Sequence, residues 1–213
     1  MSLRAHLTPL NIILVLLLLA AVVSGFILVP PGTRLPVHWG FSGTPNRYLP
    51  RDQALLLSPL IGIAVAALLI FVRRSGNPDA SRSAVAVGVP ATLGLFLVIE
   101  TATVMVGAGM AVDMVRIIVL ALGAMFVVIG NVLPKTQPNR IAGIRLPWTL
   151  RDPANWQATN RLGGWLMLLG GIVMVVAALL TGNPGVLLAI AIGVAALSSI
   201  IPALFSWRLS RGR

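Results

Sequence analysis

The chain has 213 residues, of which 57% are hydrophobic and only 10% charged; it carries a formal net charge of +11 and no cysteine. A soluble domain carries about 25% charged residues, so this composition excludes an ordinary soluble globule and points to a membrane. The missing cysteine excludes a disulfide framework, a thiolate nucleophile and a thiolate metal site.

Six segments reach the roughly 20 mainly apolar residues a spanning helix needs: about 10–29, 54–72, 84–107, 114–133, 162–181 and 185–206. The fold class expected is an all-α integral membrane protein of six transmembrane helices, forming a single membrane domain over 1–213. The first apolar run exceeds the ~7–15 residues of a secretory signal core, so it is read as a retained helix. The basic residues lie between apolar runs rather than on one soluble face, which reads as membrane orientation and sets aside direct nucleic-acid binding. With the N-terminus inside, one side holds Arg4, Arg73, Arg74, Arg82, Lys135, Arg140, Arg145, Arg151, Arg161, Arg208, Arg211 and Arg213. The other holds Arg34, Arg47, Arg51 and Arg116. The excess of Lys and Arg marks the cytoplasmic side, so both termini are expected in the cytoplasm of a bacterial cell membrane.

The first two helices (10–72) enclose an extracytoplasmic loop at 30–53. Pro30, Pro31 and Gly32 end the first helix, because proline lacks a backbone donor and glycine resists helix. His38, Trp39 and Tyr48 suit either a headgroup-level cap or a surface that meets an extracellular peptide. Only His6 and His38 are histidines, and they fall on opposite sides of the membrane. A stable metal site wants three or four ligands, so neither a metal nor a cofactor is expected.

Helices three and four occupy 84–133. Glu100 is an acid well inside an apolar span, a costly position that marks function by default. Its possible roles are a proton or cation site, a partner for Arg116 in one cluster with Asp113, or a carboxyl hydrogen bonded to Thr101, Thr103 or another helix. Gly123 and Gly130 are seven apart, as are Gly163 and Gly170, and Gly164 and Gly171. Small residues let membrane helices approach closely, so the fourth and fifth helices are expected to pack tightly. Pro90 and Pro202 are candidate kinks.

Between those two helices lies a polar island, 130–164, expected in the cytoplasm. Pro134 and Pro138 stop the fourth helix, and Gly143 permits a turn. Asp152 is a good N-cap with Pro153 at the first helical position. Helix can then run to about Thr181, some 28 residues or about 42 Å, longer than the ~30 Å hydrocarbon core. Trp156, Thr159, Asn160 and Gly163 share one face of its projecting turns. Two readings stand. In one, Trp148 and Trp156 sit at headgroup level with the arginines near anionic lipid. In the other, Asn131, Asn139, Asn155 and Asn160 fold the loop against the bundle by bonding backbone groups.

No Gly-x-Ser-x-Gly, His-Glu-x-x-His or acid pair on a shared helix face occurs, so no catalytic residue is expected. A small transporter or channel using Glu100, or a passive assembly partner, remains an alternative on the residues alone.

Asn131, Leu133-Pro134-Lys135, Pro138-Asn139, Gly143-Ile144-Arg145, Pro147-Trp148-Thr149, Trp156 and Thr159 together resemble the signature segment of the SdpI family of bacterial membrane immunity proteins. Leu35-Pro36-x-His38 and Gly43-x-Pro45 resemble a short domain of unknown function that recurs near the N-terminus of that family. The resemblance implies immunity against a secreted peptide toxin. It also implies signalling by recruitment of a small cytoplasmic repressor to the membrane. On that expectation Asn131, Pro134, Lys135, Asn139, Gly143, Arg145, Pro147, Trp148, Trp156, Thr159 and Arg161 stabilise the bundle or engage a regulator. Pro36, His38, Gly43 and Pro45, with Asp113 and Arg116, face the toxin, and the lipid bilayer surrounds the rest.

Overall fold

The computed structural model describes residues 8–74, 82–139 and 142–211; Arg4, His6, Arg140 and Arg213 lie outside the described residues. Helices α1 (Pro9–Leu28), α2 (Arg51–Arg74), α3 (Arg82–Gly107) and α4 (Met114–Val132) are followed by a 3-10 turn, Leu133–Lys135. A five-residue helix α5 (Pro147–Arg151) precedes α6 (Pro153–Leu180) and α7 (Pro184–Arg211). Six of these helices are long and apolar enough to cross a membrane. Their outward faces stay apolar: Ile27, Leu60, Phe71, Leu179 and Leu180 are all exposed. In water that would be costly, whereas in hydrocarbon it is the surface required.

The helices form two groups. α3 packs on α1 and α2, α6 packs on α4 and α7, and α3 meets α4 between them. The α4–α6 contact is the closest. A Cβ on Gly123 would lie 2.9 Å from the Gly171 carbonyl, and one on Gly130 would lie 2.7 Å from the Gly164 carbonyl. The two glycine pairs meet in antiparallel order, as the seven-residue spacing predicts. Gly170, by contrast, turns toward Val194 of α7, and Gly163 toward Ile144. Half of the glycine pattern therefore serves a different contact.

The loop after α1 is not irregular. It forms an antiparallel hairpin, β1 (Arg34–Trp39) with β2 (Pro45–Pro50), register Arg34 to Pro50 and Leu35 to Leu49. This is an addition to the all-helical expectation. Prolines within both strands and short length hid it, since proline is tolerated only at sheet edges. The hairpin closes one end of the bundle. Leu35 is buried with Val29, Ala54, Leu55 and Val104, while Trp39 packs against the cluster of Val115, Met174 and Leu187. The strand pair thus touches both helix groups. Arg51 ties it down: Nη1 donates to Val29 O (2.9 Å), Nε to Asp52 Oδ1 (2.8 Å), and the guanidinium lies 5.2 Å from the Phe26 ring centre.

Pro59, Pro90 and Pro202 lie inside α2, α3 and α7, each of which continues through its proline.

Candidate functional site

The end of the bundle opposite the hairpin is closed by the polar island, and its construction starts at Asp152. Asp152 caps α6 by accepting from Ala154 N (2.9 Å), with Pro153 at the first helical position. This is the expected start, and α6 runs 28 residues. Its first three turns carry Asn155, Trp156, Thr159, Asn160 and Gly163, all buried. They face the loop and α7, so what looked like a projecting turn is roofed by the chain itself.

Trp156 is fully buried, and its Nε1 donates to Thr136 O (3.0 Å). Trp148, half-buried on α5, donates from Nε1 to Ser206 Oγ (2.8 Å). Trp156 is therefore enclosed by the protein itself, and Trp148 spends its indole N–H inside the protein. Both indole N–H groups are used inside the protein, because a buried donor without a partner costs more than the bond returns.

The asparagines organise the rest. Asn139 folds its own turn: Nδ2 donates to Gln137 O (2.8 Å) and Ala142 O (3.1 Å), and Oδ1 accepts from Ala142 N (2.9 Å). Asn160 Oδ1 accepts from Ile144 N (2.8 Å). Asn155 Oδ1 accepts from Thr159 Oγ1 (2.9 Å) and Ser206 Oγ (2.8 Å), and its Nδ2 donates to Ser206 O (3.0 Å). A continuous chain of hydrogen bonds thus runs from Trp148 through Ser206 to Asn155 and Thr159. It joins α5, α6 and the last turns of α7. Thr149, also buried, accepts from Leu146 N (2.8 Å) and donates toward Ile144 O (2.8 Å) and Leu146 O (2.9 Å).

Gly143 sits at φ 121°, a conformation only glycine adopts easily. A Cβ there would lie 2.7 Å from Asn160 Oδ1 and 2.8 Å from the Trp156 ring. Pro134 lies against Gly164, where a Cβ would come within 2.6 Å of its ring, and its carbonyl accepts from Gln157 Nε2 (3.0 Å).

Asn131, Lys135, Arg145, Pro147 and Arg161 are exposed. The island therefore divides into a buried polar lock and an exposed basic rim. Thr136, Thr149 and Ser206 belong to the lock; Thr149 stood in the signature segment without a role assigned to it, and Thr136 and Ser206 were not among the sequence candidates. Thr136 and Thr149 sit beside candidate residues, but Ser206 lies on the last helix, where only the fold brings it near.

At the hairpin end, His38 Nδ1 is 2.7 Å from Asn46 Oδ1, and Gly43, at φ 76°, packs against Pro184. Pro36 and Pro45 border the same cleft. Arg116 does not pair with Glu100. Its Nε donates to Ala178 O (2.7 Å) and its Nη2 to Thr181 O (3.4 Å), which caps the C-terminus of α6. A cation there complements the helix dipole. Asp113 caps α4, accepting from Arg116 N (3.0 Å). The proposed cluster of Glu100, Asp113 and Arg116 is thus not formed. Glu100, fully buried, accepts from Ser58 Oγ (2.6 Å) on α2, the inter-helix hydrogen bond among its possible roles. Thr101 and Thr103 donate to their own helix carbonyls, Leu97 O and Ile99 O.

Residues 135–203 match the SdpI/YfhL protein family. This stretch begins at the last residue of the 3-10 turn and covers α6, most of α7 and the lock apart from Ser206. Over 163 residues the chain is 22% identical to a protein named Immunity protein SdpI from Bacillus subtilis (strain 168), covering 76% of this chain and 78% of that one. The resemblance to the SdpI family read from the loop residues is thereby shown. No solved structure matches the chain. With six helices able to span a bilayer, it is a multi-pass bacterial membrane protein.

Proposed function

Because residues 135–203 match the SdpI/YfhL family, we propose that this chain is an integral membrane immunity protein that protects its cell from a secreted, membrane-active peptide. The observation that carries the reading is the similarity to Immunity protein SdpI over three quarters of both chains. In this proposal the chain binds and does not catalyse. Both termini and the polar island face the cytoplasm, following the excess of Lys and Arg there, and the hairpin faces outward. The hairpin is the part of the chain suited to meeting the peptide, since it bridges both helix groups at the sparsely basic end. The exposed basic rim of Lys135, Arg145, Arg151 and Arg161 is the surface offered to a small cytoplasmic repressor, and the lock beneath it holds that surface in one shape.

The test is expression in a strain killed by such a peptide. Survival is expected, and no protection by correctly inserted protein against any related peptide sinks the proposal. For the regulator, a rim variant with all four cations changed to Gln should still protect but lose co-purification of the repressor.

A second reading rests on Glu100. An acid fully buried between α2 and α3 suits an ion or proton path. Flux in liposomes that is lost in Glu100→Gln would favour it; no flux in the native protein removes it.

A further inference from the structure

Where α3 meets α4, at the end away from the hairpin, the two helices leave a groove of about 480 Å³. Ala86, Ala91 and Gly94 line it from α3, and Ala121, Ala124 and Val128 from α4. No polar side chain lines it among the described residues. Leu10, Val98 and Val128 at its edges are exposed, so it opens sideways to the hydrocarbon. It lies across α4 from α6, since Gly123 and Gly130 take the other face of that helix. Gly94 is unlike the packing glycines of the same helix group. At Gly25, Gly62 and Gly107 an added Cβ would press on a neighbouring side chain, whereas at Gly94 it would meet nothing within 4 Å. From Ala86 to Val98 the groove follows α3 for about 18 Å at ~1.5 Å per residue. That is close to half of the ~30 Å hydrocarbon core, the depth of one leaflet. At its island end the chain changes from apolar to polar. Asn131 comes one turn after Val128, and Lys135 two turns after it, at the end of the 3-10 turn. Both are exposed.

We infer that this groove is the binding site of one phospholipid with an anionic headgroup. An acyl chain lies between α3 and α4, and the phosphate meets Lys135 and Asn131. The groove supplies what a chain needs, an apolar trough one leaflet deep. A helix is about 10–12 Å across and needs the whole ~30 Å of the core to span it, so a further transmembrane helix does not fit a groove of this length. The headgroup follows from charge. Lys135 is a compact cation that attracts a net negative lipid, and the Asn131 amide can donate to a phosphate oxygen. A choline headgroup would bring its own cation beside Lys135. The inference gives a role to Asn131 and Lys135 of the signature segment, and it does not depend on the immunity reading.

The experiment uses full-length protein in mild detergent, titrated with dioleoyl-phosphatidylglycerol or dioleoyl-phosphatidylcholine and read by native mass spectrometry. Retention of one phosphatidylglycerol is expected, about fivefold tighter than phosphatidylcholine, the effect of one cation at headgroup level. Lys135→Gln should remove that preference and leave phosphatidylcholine binding unchanged. Gly94→Phe puts a ring into the open trough, so the protein should fold and lose both lipids. Should that variant fail to fold, Lys135→Gln, at an exposed position, still decides. No retained lipid, equal binding of the two lipids, or an undiminished preference in Lys135→Gln overturns the proposal. Folded Gly94→Phe that retains lipid as native protein does would place the lipid elsewhere, and that also overturns it. A second copy of the chain is tested with Gly94→Cys in native membranes, in a chain that has no cysteine of its own. A disulfide-linked dimer on oxidation would assign the groove to another protomer and overturn the lipid; its absence is expected. Protection of sensitive cells is read separately, and its failure leaves the lipid site standing.

Discussion

At Gly143 a single hydrogen in place of a side chain decides whether the polar island can close. Its φ of 121° is one that other residues reach only with strain of about 1–3 kcal/mol, and an added methyl would press on Asn160 and Trp156. Gly143→Ala is therefore expected to lower the thermal midpoint in detergent, while insertion into the membrane is unchanged. Trp156 makes a sharper test. Trp156→Phe keeps an aromatic ring but leaves the Thr136 carbonyl without its indole donor, a loss of about 1–3 kcal/mol. Trp156→Ala opens a cavity and should cost about 3–5 kcal/mol. The ordering Ala below Phe below native in denaturation is the expected outcome; equal stability of all three would return Trp156 to a lipid-anchoring role. Trp156 was visible in the sequence as an interface residue, but its burial was not. An indole at the start of a membrane helix suits the headgroup region equally well, and only the position of Thr136, twenty residues earlier, shows where its N–H goes.

The elements are held at two kinds of contact, one steric and one polar. Along α4 and α6 the backbones meet at Gly123 with Gly171 and Gly130 with Gly164, where no side chain can give way. Gly164→Val should thus cost more than the ~1–3 kcal/mol typical of overpacking against mobile side chains. Gly193→Val, on α7 with open space around it, should be nearly neutral. Comparing the two by yield and thermal midpoint checks the packing, and equal behaviour would contradict it. The polar contact is Ser206, which receives Trp148 and gives to Asn155. Ser206→Ala removes both at once and should loosen the end of α7, seen as faster amide exchange there. The glycine spacing was legible because heptad-like repeats report helix–helix faces directly. Which partner each glycine chose was not legible, since Gly163 and Gly170 share that spacing and yet turn elsewhere. Ser206 carried no signal at all. A lone serine near a helix end is common, and its meaning depends on α5 lying beside it.

For the molecule as a whole, orientation is open to direct measurement, helped by the lack of any native cysteine. In intact cells Tyr48→Cys should react with a membrane-impermeant maleimide, and Lys135→Cys only after permeabilisation; the opposite pattern would invert the topology. The hairpin and the lock close opposite ends of one bundle, so a peptide at the hairpin and a regulator on the basic rim would communicate only through the helices between them. What the sequence determined by itself was the number of spans, the helix start at Asp152 and Pro153, and the closeness of α4 and α6. These depend on residues near one another in the chain or on a regular repeat, so composition and spacing report them. The tertiary structure alone decided that Trp148 and Trp156 point inward, that Arg116 caps α6 instead of meeting Glu100, and that Ser58 partners that acid. Each of these is a single hydrogen bond between distant segments. Such a bond has no periodicity to betray it, and it exists only once apolar packing has brought the helices together.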